Sequence, residues 1–72
     1  MYLYQTKIGV FSIIHKNERW HILFNNENLG NYISPVQAAS DLAGGHTFSL
    51  SCGIDTSTLG IPDNINEWKL SK

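Results

Sequence analysis

The sequence predicts an α+β domain: an antiparallel sheet of three or four strands, one main helix packed across it, and a short C-terminal helix. Three observations carry this. Over residues 8–33, runs of β-branched and aromatic residues alternate with short Asn-rich turns, the pattern of an antiparallel meander. The pair Ser34-Pro35 opens, and Gly44-Gly45 closes, a segment with helical apolar spacing. The chain has 72 residues, enough for a single domain with one core, so sheet and helix must share it.

The elements follow in order. Residues 1–7 are mixed and leave two outcomes open, a frayed end or a short leading strand. Residues 8–15 (IGVFSIIH) form the first strand of the meander. Val10 and Ile14 share one face with Ser12 between them, and Phe11 and Ile13 share the other, so both faces call for cover. Residues 16–18 turn the chain, with Asn17 as pivot. Residues 19–24 (RWHILF) form the next strand, with Trp20, Ile22 and Phe24 on one face and Arg19, His21 and Leu23 on the other.

Residues 25–28 are a second polar turn and residues 29–33 a third strand, in which Gly30 suggests a bulge or a close backbone approach. The helix from Ser34 to Gly44-Gly45 points Val36, Ala39 and Leu42 inward, with Ala43 beside them. It is too short to stand without the sheet. In the tail, residues 47–51 alternate as a strand would, residues 52–60 are turn-rich, and residues 64–70 suit a short helix capped by Asp63 or Asn64.

Composition excludes several functions. Five Lys and Arg stand against six Asp and Glu, for a net charge of −1 and a pI near 6.2. A domain living on phosphate contacts shows a basic excess instead. Charged residues make up only 15% of the chain, against about 25% in an average domain. So lightly charged a surface suits cover by a partner protein or a second copy. One cysteine, Cys52, rules out an internal disulfide and a multi-cysteine zinc site. No apolar run approaches the ~20 residues of a membrane span. The N-terminus carries no signal-peptide core, and a cytoplasmic location is the expectation.

Catalysis is not expected. His15, His21 and His46 show no metal-ligand spacing, so neither a metal nor a cofactor is expected. Cys52 with a histidine is a nucleophilic pair the composition allows, but a small, partly buried apolar side chain is the favoured reading of Cys52. Turn and cap roles account for Glu18, Glu27, Asp41, Asp55 and Asp63.

The candidate binding surface is the outer sheet face. Phe11, Ile13 and Leu23 are expected there as an apolar patch beside Arg19 and His21, with Tyr32 as a further surface contact. Burial in a small domain favours the tail as its cover, through Phe48, Leu50 and Trp68, over a partner.

Residues 8–43, about half of the chain, resemble the ethylene-response-factor type of plant DNA-binding domain. The resemblance rests on Gly9-Val10, Arg19-Trp20, Leu29-Gly30, the Ser34 cap and Ala38-Ala39. It implies three antiparallel strands with a helix across them, and DNA contact through the outer sheet face. The equivalent positions are Phe11, Ile13, His21 and Leu23, three of them apolar.

Trp20, Gly30, Tyr32 and Pro35 are also similar to positions of GYF-type modules, which implies binding of proline-rich peptides, although the signature tripeptide is absent. The Trp, Leu-Gly-x-Tyr and Ala-Gly-Gly-His-Thr pattern looks like that of small bacterial proteins without an assigned activity. The functional expectation is a non-enzymatic interaction module that binds a protein, its own copy included. Nucleic-acid binding through the sheet and proline-rich peptide binding are the alternatives.

Overall fold

The computed structural model describes residues 1–47, 50 and 53–71. Four strands come first: β1 (Tyr2–Thr6), β2 (Gly9–Lys16), β3 (Arg19–Phe24) and β4 (Glu27–Tyr32). Helix α1 (Pro35–Gly44), single 3-10 turns at Thr56–Thr58 and Ile65–Glu67, and strand β5 (Lys69–Leu70) follow. The strands form one five-stranded sheet in the order β4-β3-β2-β1-β5, antiparallel throughout. The α+β expectation is met with more strands than the sequence suggested. Residues 1–7 supply a true strand, and residues 69–70 add another at its free edge.

The expected helix over residues 64–70 contracts to one 3-10 turn, capped where Asn64 Oδ1 accepts from the Asn66 amide at 2.9 Å. Trp68 is already extended, which lets its side chain enter the core while the chain runs on to pair with β1. Of the strand expected over residues 47–51, Phe48, Ser49 and Ser51 lie outside the described residues, and Leu50 is buried.

Two hairpin turns set the register of the meander. Asn17 and Glu18 both have positive φ, and so do Asn25 and Asn26, as two-residue hairpin turns matched to strand twist require. Lys16 therefore pairs with Arg19, Ile14 with His21, Ile13 with Ile22, and Ser12 with Leu23. Paired residues project to the same side of a sheet. This corrects the expected faces of β2: Phe11 and Ile13 do not lie beside His21 and Leu23. They lie under the helix with Ile22 and Phe24, all four buried. A three-residue turn over residues 16–18 slips the register by one, and such a slip exchanges the two faces of a strand.

Between the pairs His21–Asn31 and Leu23–Asn28, Ile22 faces both Leu29 and Gly30, a β-bulge. Gly30 sits at a φ of +138°, and the Tyr32 ring packs over it, 3.4 Å from where a Cβ would be.

Helix α1 begins and ends where Ser, Pro and Gly place it. Ser34 Oγ accepts from the Gln37 amide at 3.2 Å, and Pro35 occupies the first helical turn. Gly45 adopts a left-handed φ of +76°, which lets its own amide and that of His46 bond the carbonyls of Leu42 and Asp41. The buried stripe is Ala38, Ala39 and Leu42. Val36 is 55% exposed rather than inward, because at 3.6 residues per turn it lies roughly 110° from the centre of that stripe.

The core joins the sheet residues Phe11, Ile13, Ile22, Phe24 and Leu29 to the helix stripe and to Leu50, Ile61, Ile65 and Trp68 of the tail. Phe11 and Phe24 stack at 4.4 Å, and Trp68 meets Tyr4 at 5.6 Å. Leu50 and Trp68 thus complete the core on the helix side and do not cover the outer sheet face. Among the described residues, no helix is long and apolar enough to cross a membrane.

Candidate functional site: the outer face of the sheet

Every described element outside the sheet packs on its inner face, so the register alone determines what the other face presents. Across the middle run Leu3, Ser12, Leu23 and Asn28, with Lys69 at the β5 edge. Ile14, His21 and Asn31 form the neighbouring row, and Lys16 and Arg19 close the ladder. On the other side lie Gln5 and Val10, the latter 42% exposed. Leu3, Ile14 and Leu23 are half-buried by their neighbours in the sheet. Leu3, Gln5, Val10, Glu67 and Lys69 surround an open cavity of about 350 Å³ at the rim.

His21 is held across this face by an oriented chain of hydrogen bonds. The Gly30 amide donates to Asn28 Oδ1 at 2.9 Å, which turns Asn28 Nδ2 toward His21 Nδ1 at 3.1 Å. His21 Nε2 in turn lies 3.2 Å from the Lys16 carbonyl. Since Nδ2 and a ring N–H both donate, the chain assigns the proton of neutral His21 to Nε2. It ties β4, β3 and β2 together on the exposed side, where no core packing holds them.

The residues expected at the site are therefore divided. Arg19 is exposed beside Lys16, and His21 and Leu23 are half-buried, all three on the outer face. Phe11 and Ile13 are fully buried on the inner face and offer nothing to a ligand. Tyr32 projects to the inner face, pairing with Trp20, where its ring covers Gly30 and its hydroxyl lies near the Asp41 carboxylate. Burial raises the Tyr32 pKa, and the charge and hydrogen bond of Asp41 raise it further.

Sequence reasoning missed Ser12, Lys16, Asn28 and Asn31 as surface positions. The signal is turn length: with a two-residue turn, counting back from Arg19 places Lys16 and Ser12, and the second two-residue turn with the bulge after it places Asn28 and Asn31.

Two other clusters carry chemistry-bearing side chains. Asp55 Oδ1 accepts from the Ser57 amide at 2.9 Å and from Ser57 Oγ at 2.8 Å. These bonds lower the Asp55 pKa, with a smaller contribution from nearby His46. Asp, His and Ser are the residue types of a nucleophilic triad. Here the serine hydroxyl donates to the carboxylate, so the arrangement is a helix cap. Trp20 stacks on His15 at 4.5 Å and meets Tyr2 at 6.0 Å, which engages its ring within the fold. Cys52 lies outside the described residues. Among the described residues, no three His, Cys, Asp or Glu side chains gather as metal ligands.

Comparison with protein-family models, with curated proteins and with solved structures finds no match for this chain.

Proposed function

We propose that the chain is a non-enzymatic interaction module whose outer sheet face binds a protein. The observation that carries this reading is the one-sidedness of the fold. Helix and tail bury one face of the sheet, and the opposite face sets Leu3, Val10, Ile14 and Leu23 among polar side chains with no described element over them. An exposed apolar strip rimmed by polar groups is the usual mark of an interface. The test is an affinity column bearing the native chain beside one bearing Ile14→Asp/Leu23→Asp, each loaded with native lysate, with the folding of the variant checked by circular dichroism. A protein retained by the native column alone supports the reading. Identical retention by both columns sinks it.

Nucleic-acid binding is the second reading, favoured by the corrected register. Ser12 now occupies the face where Phe11 and Ile13 were expected, and Lys16 and Arg19 meet at one end of it. Strands carrying polar and basic side chains enter DNA grooves in known β-sheet readers. Affinity for mixed-sequence duplex DNA that falls steeply with added salt is the signature of this reading. Absence of binding at low salt removes it.

A further inference from the structure

The hydrogen-bond chain that ties His21 to β4 suits one protonation state. Its direction is set at the β4 end, where the Gly30 backbone amide can only donate and so claims Asn28 Oδ1 at 2.9 Å. Asn28 Nδ2 is left as the donor facing His21 Nδ1 at 3.1 Å. A neutral imidazole meets it with the lone pair of Nδ1 and uses its one N–H, on Nε2, at the Lys16 carbonyl 3.2 Å away. An imidazolium carries a proton on both nitrogens. Two donors then face each other between Nδ1 and Nδ2, and turning the Asn28 amide over moves the same conflict to the Gly30 amide. The Nε2 bond to Lys16 survives. Protonation therefore parts His21 from β4 and leaves it attached to β2.

We propose that His21 and Asn28 form a proton-released clasp on the outer sheet face, closed between β3 and β4 while His21 is neutral and open once it is charged. His21 is the imidazole on this face: His15 stacks on Trp20 on the inner side, and His46 follows the end of α1. The charged side chains near it are Lys16 on β2, Arg19 on β3 and Glu18 in the turn between them. From β4 come Asn28 and Asn31, which do not ionise, and Glu27, which its pairing with buried Phe24 directs to the inner side. Histidine is the side-chain type that gains charge between about pH 8 and pH 5. Acid thus adds a cation beside Lys16 and Arg19 and frees the Asn28 amide next to Leu23, its partner in the ladder. The clasp does not depend on what the face binds, but where the face binds a protein, acid alters the surface that protein meets.

Proton and nitrogen NMR of the full chain from about pH 8 to pH 5 tests this. At the upper end the His21 ring nitrogens are expected to show the Nε2–H tautomer. On acidification the Asn28 side-chain amide signals are expected to move toward those of a free amide, with the midpoint of the His21 ring signals rather than those of His15 or His46.

Two variants separate a clasp from an ordinary surface contact. His21→Gln accepts from Asn28 and donates to Lys16 but takes up no proton, so the Asn28 signals are expected to stay fixed across the range. Asn28→Asp reverses the sense, because a carboxylate accepts from both the Gly30 amide and the Nδ1–H of charged His21. In that variant a His21 Nδ1 proton slow to exchange is expected at the acid end. Three results overturn the proposal: the Nδ1–H tautomer at the upper end, native Asn28 signals that ignore the His21 titration, or the same movement of those signals in His21→Gln. The first two are read on the native chain and so hold even where a variant does not fold. Retention on the outer-face column enters none of these results, so the clasp and the interaction-module reading stand or fall separately.

Discussion

Single residues hold the features that position the outer face. Asn28 is the clearest, because one amide serves the Gly30 N–H through Oδ1 and His21 through Nδ2. Asn28→Ala removes both bonds at an exposed site, and the expected loss in urea unfolding is about 1 kcal/mol. Gly45 is less tolerant. Its φ of +76° disfavours any side chain, and an added Cβ would sit 2.6 Å from Asp55 Oδ1. Gly45→Ala is therefore expected to cost about 1–3 kcal/mol and to displace the carboxylate that caps Thr56–Thr58.

Asp55 also gives a pH dependence. Its folded pKa is lowered from the ordinary 3.8 by hydrogen bonds from Ser57. The stabilisation is therefore present above that ordinary value and is lost as pH falls through the lower folded value. Melting temperatures measured from pH 5 downward are expected to fall less steeply for Asp55→Asn than for the native chain, because the amide keeps the acceptor oxygen and does not titrate.

At the level of elements, the local signals were strong where one residue type has one physical use. Ser34, Pro35 and Gly45 delimit α1 because an N-cap oxygen, a fixed φ and a left-handed φ each have few suppliers. The faces of β2 were not legible in the same way. Val10 and Ile14 on one side are as apolar as Phe11 and Ile13 on the other, so alternation does not choose between them. The turn decides, and Glu18 hides its length, since a glutamate at positive φ is an uncommon second turn residue.

The C-terminal segment was illegible for a tertiary reason. The Trp68 indole donates to the Pro62 carbonyl at 3.1 Å and sits in the core, and that anchorage outweighs the weak helical pattern of residues 64–70. Trp68→Ala is expected to destabilise the domain by about 3–5 kcal/mol in chemical denaturation. A tail merely resting on a finished core would show far less. The tail is also tied to the helix where Thr56 Oγ1 donates to the Leu42 carbonyl at 2.7 Å, and Thr56→Val is expected to lose about 1 kcal/mol.

For the whole molecule, the central claim is that the sheet has one buried and one open face, and that the open face is the one bearing Ser12, Ile14, His21 and Leu23. A small domain has too little apolar surface to seal both sides of a five-stranded sheet, and here the helix and the described residues of the tail are spent on one. The candidate site was half legible as a result. Arg19, His21 and Leu23 follow from the alternation of β3, whereas Phe11 and Ile13 were assigned across the sheet from where they lie.

Adjacent residues of β2 give the most direct test. Ile13→Thr and Ile14→Thr make the same chemical change on opposite faces, and both can be measured by urea denaturation. Ile13→Thr is expected to cost about 2–4 kcal/mol, as a hydroxyl and a cavity enter the core. Ile14→Thr is expected to stay within about 1 kcal/mol of the native chain. The reverse order of losses, or equal large losses at both positions, would contradict the account.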